Sequence, residues 1–178
     1  MKYTTVVFDL DGTLLNTLDD LAGSVNFALK ENGLPPRTID EVRRFIGNGV
    51  RVLIKRSVPA GTTDEKYEAT FKTFEAHYKK NSRNLTAPYE GVIKMLNDLK
   101  EMGYKLAIVS NKIDFAVKDL RDEFFRDIIE VAIGDSPDTN NKPEPDMVFK
   151  ALKMLGESVD NAVYVGDTDV DMETAKNS

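Results

Sequence analysis

The chain contains no cysteine, no tryptophan and a single histidine, His77. Without thiols there can be no disulfide, zinc–thiolate site, iron–sulfur cluster or thiol nucleophile. One imidazole excludes any metal site built on two or more histidines. His77 sits among Phe74, Tyr78 and Lys79 in a helical pattern, where it reads as an ordinary helix residue. Long apolar runs are also missing: none approaches the roughly 20 residues of a membrane span. The opening Met1-Lys2-Tyr3-Thr4 meets Asp9 and Asp11 before a signal-peptide core could form. Positive charge is in deficit, with 24 Lys and Arg against 30 Asp and Glu, a net charge of −6. That balance is a poor platform for nucleic acid. The expectation is a soluble cytoplasmic protein, monomer or homodimer, with neither nucleic-acid nor membrane partner.

What is present suits a packed fold. The 178 residues are 41% hydrophobic, enough for one ordinary domain, or a core with a modest insertion, to bury an interior without staples. Thr4 to Phe8 is a β-branched and aromatic run stopped by Asp9-Leu10-Asp11-Gly12, the pattern of a strand buried on both faces. The pattern recurs at Lys105 to Val109 and at Ala162 to Val165, and a weaker version spans Ile129 to Ile133. Helical spacings lie between: Val92, Ile93, Leu96 and Leu99 before Gly103, and Met147, Val148, Ala151, Leu152 and Leu155 before Gly156. Alternating strands and helices predict an α/β fold with a Rossmann-like parallel sheet core and helices on both faces.

Residues 16–86 break the alternation with helical patterns alone. Leu18 to Leu29 forms one, closed by Asn32-Gly33; Ile39 to Phe45, Val50 to Ile54 and Thr63 to Lys80 follow. The predicted organisation is a core of residues 1–15 and 87–178 carrying an inserted all-helical cap of residues 16–86. The insertion carries 12 basic and 9 acidic residues, whereas residues 87–178 carry 11 and 19. A mildly basic insertion beside an acidic core suits an anionic substrate held with a cation.

In parallel sheets, reactive groups collect beyond the carboxyl ends of the strands. Four predicted ends deliver polar residues: Asp9 to Thr13, Ser110-Asn111, Gly134-Asp135 and Gly166 to Asp171. Asp9 and Asp11 are two apart and can face one side; Asp167 and Asp171 are four apart and share a face if a helix starts there. Any one of them could equally be a turn residue or a helix cap. Gathered together they repel, at about 4 kcal/mol for two unit charges ~4 Å apart at an effective dielectric of ~20. A hard, oxygen-loving cation offsets that repulsion, and Mg²⁺ fits best.

Asp9-Leu10-Asp11-Gly12-Thr13 resembles the first motif of the haloacid dehalogenase-like hydrolases. Ser110, Lys142 in Lys142-Pro143-Glu144-Pro145, and Gly166-Asp167 through Asp171 resemble the second, third and fourth, in the family's order. The resemblance implies that Asp9 attacks phosphorus to form an aspartyl-phosphate. It makes Asp11 the group that protonates the leaving oxygen and then deprotonates the attacking water. Asp11 also favours the phosphoryl-transfer branch, because dehalogenase members lack a carboxylate there. Mg²⁺ would lie among the Asp9 side chain, the Asp11 carbonyl, Asp167 and Asp171, the last directly or through water. Ser110 and Lys142 would hold the phosphoryl oxygens, with backbone N–H groups near Gly12 and Asn111.

Gly47-Asn48-Gly49 permits close backbone approach to a ligand, and Arg51 follows with a fork suited to a carboxylate. The same residues could be a plain turn and a surface charge. The segment resembles the cap loop of phosphoglycolate phosphatases. It implies a small phosphorylated metabolite as substrate, 2-phosphoglycolate first, with a phosphomutase or pyrophosphatase as the alternative on the same machinery. A third reading is a non-catalytic binder of phosphorylated ligands, which would not need both Asp9 and Asp11. A dinucleotide-binding dehydrogenase is disfavoured, because no Gly-x-Gly-x-x-Gly follows the first strand. The family continues past its fourth motif with a further strand and helix, so the sequence predicts a core lacking its C-terminal part and a strand at 162–165 without its outer neighbour.

Overall fold

The computed structural model describes residues 2–178, and the chain divides into two compact units. One runs to Asn16 and resumes from Pro88 to Ser178; the other is Thr17–Ala87. Among the described residues, no helix is long and apolar enough to cross a membrane.

The first unit is built on β1 (Thr5–Phe8), β4 (Lys105–Ile113), β5 (Val131–Asp135) and β6 (Ala162–Val165). These pair in parallel in the order β5-β4-β1-β6. β2 (Leu15–Asn16) and β3 (Ala87–Pro88) form a separate two-stranded sheet. Period-two alternation splits the apolar runs between two faces. Val6 and Phe8 of β1 with Leu106 and Ile108 of β4 pack against Val92 and Leu96 of α5 (Val92–Glu101) and Val117 and Leu120 of α6 (Asp114–Phe124). Val7, Ala107, Val109, Val131 and Ile133 pack on the other side against Met147, Val148, Ala151, Leu152 and Leu155 of α7 (Asp146–Leu155). Both faces are covered, which is why β1 has no exposed residue.

Three elements differ from the sequence expectation. β4 continues past Val109 to Ile113, through a register shift against β5 that carries the buried polar Ser110, Asn111 and Lys112. β5 starts two residues late; Ile129 is fully buried in the core without joining the ladder. Helix α6 carries only three buried residues, Ala116, Val117 and Leu120, among charged neighbours, too narrow a stripe to have been read.

The second unit is all-helical: α1 (Leu18–Glu31), α2 (Ile39–Phe45), α3 (Val50–Ser57) and α4 (Asp64–Asn81). α2 begins with a reciprocal cap in which the Thr38 hydroxyl accepts from the Glu41 N–H and the Glu41 carboxylate accepts from the Thr38 N–H. Leu21, Val25, Ala28, Leu29, Val42, Leu53, Ile54, Phe74 and Tyr78 fill the interior. Phe27, an apolar residue of α1, is 40% exposed. Its ring stacks on His77 at 4.0 Å, and His77 Nδ1 lies 3.0 Å from Ser24 Oγ. Partial desolvation lowers the His77 pKa.

Asp20 ties the ends of this unit together. Its buried carboxylate accepts from the Leu85 N–H at 3.0 Å, the Thr86 N–H at 2.9 Å and the Thr86 hydroxyl at 2.8 Å. Asp20→Asn can keep an oxygen facing these donors but loses the charge that strengthens the bonds. It also sets an NH₂ where Oδ1 now accepts from the Leu85 N–H at 3.1 Å, and the change should cost about 1–3 kcal/mol. Urea denaturation of the two proteins checks this; an unchanged midpoint would show that the three bonds add nothing net.

Candidate active site

The chain runs from β1 to β4 and on to β5 on one side, then crosses from β5 to β6 on the other side of β1, so the carboxyl end of β1 opens where the strand order switches. Asp9 extends the ladder, its N–H donating to the Val165 carbonyl at 2.9 Å. Leu10 is fully buried, and its carbonyl accepts from Leu14 and Leu15 N–H, closing a tight loop. Pinning Leu10 inward between them leaves both Asp9 and Asp11 to project the other way. The loop turns at Gly12, with φ +92°. A Cβ there would lie 2.5 Å from an Asp167 carboxylate oxygen, so glycine is what lets the two strand ends approach.

Asp9 is 5% exposed. Burial pushes its pKa up to about 6, with the Asp171 and Asp11 charges adding to the rise and Lys142 opposing it. The Lys142 ammonium donates to Asp9 Oδ1 and Asp171 Oδ1, at 2.7 Å each, and lies 3.1 Å from the Tyr164 hydroxyl. Burial disfavours that ammonium, but Asp9, Tyr164 and Asp171 outweigh it and hold the Lys142 pKa above its ordinary value. Tyr164 is pushed up by burial, and its hydroxyl donates to Asp171 Oδ1 at 3.0 Å. Asp171 also caps its own helix, α8 (Asp169–Asn177): Oδ2 accepts from the Thr168 hydroxyl at 2.6 Å and the Thr168 N–H at 3.0 Å. Burial works against the charged form, but Lys142 and the Thr168 bonds prevail and keep the Asp171 pKa below its ordinary value.

Asn111 grips the loop that carries Lys142. Its side-chain oxygen accepts from the Lys142 N–H at 2.8 Å and its amide donates to the Lys142 carbonyl at 3.0 Å. Two bonds to one residue, on the peptide groups either side of it, fix the Lys142 backbone, and the Lys142–Pro143 bond that follows is cis. Ser110 is buried beside it, its Oγ accepting from the Lys112 N–H at 3.3 Å. Lys112 reaches Asp11, at 2.8 Å and 3.0 Å to its two carboxylate oxygens.

Carboxylate oxygens of Asp9, Asp167 and Asp171 lie within 4.8 Å of one another. An all-oxygen donor set of this kind suits a hard divalent cation. The space left by the absent Cβ of Gly12 keeps the Asp167 carboxylate close to the loop. The Thr13 hydroxyl donates to Asp167 Oδ1 at 2.9 Å and orients it. The residues present therefore fit such an ion.

The residues singled out in the helical unit lie together in one loop and the helix after it. Gly47 and Gly49 have φ of +109° and +83°, which only glycine adopts without strain, and Gly49 precedes α3. Arg56 braces the loop, donating to Asn48 Oδ1 at 2.8 Å and to the Phe45 carbonyl at 3.2 Å. Arg51 pairs with Glu68 at 2.9 Å and lies over the Phe71 ring at 4.2 Å. Sequence reading gave no individual role to Thr13, Lys112, Tyr164 or Arg56. Tyr164 lay hidden in an apolar strand, and Lys112 followed the serine and asparagine that drew attention.

The carboxylates gathered at the strand ends of this α/β sheet, with a buried lysine among them, form a site suited to a cation and an anionic ligand together. Residues 6–178 match the haloacid dehalogenase-like hydrolase family, and the chain belongs to it. It is 37% identical over 172 residues to the phosphoglycolate phosphatase of Aquifex aeolicus, covering 96% of this chain and 79% of that protein. It is 37% identical over 181 residues to phosphoglycolate phosphatase 1 of Pseudomonas aeruginosa, covering 96% of this chain and 65% of that one. The crystal structure of a predicted phosphoglycolate phosphatase from Haemophilus somnus superposes with a TM-score of 0.90 at 32% identity, covering 99% of this chain and 82% of that one.

Proposed function

We propose that the protein is a Mg²⁺-dependent phosphatase of small phosphate monoesters, with 2-phosphoglycolate as the first substrate. The observation that carries this reading is the buried Asp9, held by Lys142 at the open end of β1 with Asp11 two residues on. Lys142 occupies Oδ1 of Asp9, so attack on phosphorus falls to Oδ2. The Oδ2–phosphorus bond forms as the ester oxygen leaves with a proton from Asp11. Water then attacks the aspartyl-phosphate, gives its proton to Asp11, and the Oδ2–phosphorus bond breaks. Ser110, Lys142 and the N–H groups near Gly12 and Asn111 hold the phosphoryl oxygens in both steps. A Mg²⁺ held by Asp9, Asp167, the Asp11 carbonyl and, directly or through water, Asp171 would offset the repulsion between nucleophile and phosphate.

The similarity to named phosphoglycolate phosphatases supports the substrate. In this reading the helical unit of residues 17–87 is the cap that selects it, through the Gly47-Asn48-Gly49 loop and Arg51. Arg51 donates to the Glu68 carboxylate at 2.9 Å, and in this reading the substrate's carboxylate would take that place.

The test is phosphate release from 2-phosphoglycolate, pyrophosphate, a hexose phosphate and an aryl phosphate, each with Mg²⁺ and with EDTA. The expected result is release that needs Mg²⁺ and is fastest from 2-phosphoglycolate. A faster rate from pyrophosphate or the hexose phosphate would keep Asp9 and replace the substrate. Silence from all four would remove the enzyme reading.

A further inference from the structure

We propose that Lys112 is a positioning residue that sets the orientation of the Asp11 carboxylate for proton transfer; this rests on the phosphatase reading above. The Lys112 side chain is 1% exposed, and its ammonium lies 2.8 Å from Asp11 Oδ1 and 3.0 Å from Oδ2, across 101 residues of sequence. A single point of contact leaves a carboxylate free to turn about its bond to Cβ. Contact with both oxygens fixes the plane of the group and hence where each lone pair points.

The lysine is itself immobile at both ends. Its N–H donates to Ser110 Oγ, and its carbonyl lies 2.6 Å from where a Cβ on Gly134 would stand, so β5 presses directly on the Lys112 backbone. A fixed stem with a fixed head is the arrangement that holds a reacting group within the narrow range proton transfer needs. The register shift after Val109 makes this possible, because it keeps Ser110, Asn111 and Lys112 in strand conformation while their side chains serve different partners. Ser110 accepts from the Lys112 N–H, Asn111 grips Lys142, and Lys112 grips Asp11. A purely structural ion pair would require the same burial. It would not make the chemistry depend on the leaving group.

Leaving-group dependence is therefore the test. Glycolate leaves 2-phosphoglycolate as an alkoxide that needs a proton, whereas p-nitrophenolate leaves as a stable anion. With the protein and its Lys112→Met and Lys112→Arg variants, the first-turnover release of each leaving group is measured in Mg²⁺, together with kcat and KM. Lys112→Met should slow glycolate release by about 10²-fold, within the range of general acid–base catalysis. First-turnover release of p-nitrophenolate should change by less than about threefold. Lys112→Arg should recover part of the loss. Equal losses on the two esters would overturn the proposal in favour of a structural pair. A raised KM for 2-phosphoglycolate alone, with kcat unchanged, would overturn it in favour of contact with the substrate carboxylate.

A second readout needs no turnover. In a spectrum of ¹⁵N-lysine-labelled protein, a buried ammonium paired with Asp11 gives an Nζ signal protected from solvent exchange, and Asp11→Asn should abolish that protection. If no such signal exists, the grip on Asp11 is absent whatever the activity. If the signal behaves as expected but no ester is hydrolysed, the phosphatase reading has failed and, with no proton transfer to serve, the positioning role falls with it.

Discussion

Asp9→Asn should abolish turnover and, above pH 6 in EDTA, make the protein more stable than the parent. The first effect follows from removing the nucleophile, a loss on the order of 10⁴–10⁶ in rate for a residue of that kind. The second follows from burial. Asp9 titrates at about 6 in the folded chain against an ordinary 3.8, a displacement caused first by desolvation and then by Asp171 and Asp11. Its pKa is raised, so the stability it contributes is fully present below pH 3.8 and is lost as pH rises to 6. The penalty at neutral pH is of the order of 3 kcal/mol. Asparagine carries no charge to desolvate, although it leaves Lys142 with one carboxylate fewer. Thermal unfolding at pH 4.5, 6 and 8 would show the gap opening as pH rises. A variant less stable than the parent at pH 8 would mean that the Lys142 pair outweighs the burial of Asp9.

Lys142→Met should do the reverse to stability. Its ammonium, 3% exposed, is shared between Asp9 and Asp171. Truncating one member of a buried charged set typically costs about 3–5 kcal/mol, because the partners remain buried and uncompensated. The loss should be largest in EDTA at pH 8, where both carboxylates would otherwise be charged. Mg²⁺ should restore much of it, since carboxylate oxygens of Asp9, Asp167 and Asp171 gather within 4.8 Å. The melting temperature of Lys142→Met should therefore respond to Mg²⁺ more than the parent's does. Equal responses would remove the Asp9–Asp167–Asp171 group as the metal site. Activity should stay low even with Mg²⁺ bound, because the ammonium that holds the phosphoryl oxygens is gone.

The parallel sheet could be read because β1 is buried on both faces and shows as an unbroken apolar run. The limits of that reading are physical. Hydropathy ends β4 at Val109, whereas the ladder goes on, because Ser110, Asn111 and Lys112 are polar residues satisfied inside the protein. Ile129 is apolar for packing and not for pairing, which displaced the start of β5. Asp9, Asp11 and Asp167 could be noticed as polar residues closing predicted strands, whereas Lys142 was picked out only by its resemblance to a family motif. Arg51 was read as a fork for substrate, but nothing in the sequence announces Glu68, 17 residues away, as its partner. Lys112 and Tyr164 owe their significance to residues 101 and 7 positions distant, and such pairings have no local signature.

The network around Asp9 also has an electrical balance. Asp9, Asp11, Asp167 and Asp171 bring four negative charges, and Lys112 and Lys142 return two positive ones. With Asp11 in the ionised form that pairs with Lys112, the remainder is −2, so one divalent ion would bring the resting cluster to neutrality. A monovalent ion would leave an anionic mouth that repels substrate, and a trivalent one would leave a surplus that retains the product. Valence, then, and not radius alone, would decide which ions support turnover and which arrest it.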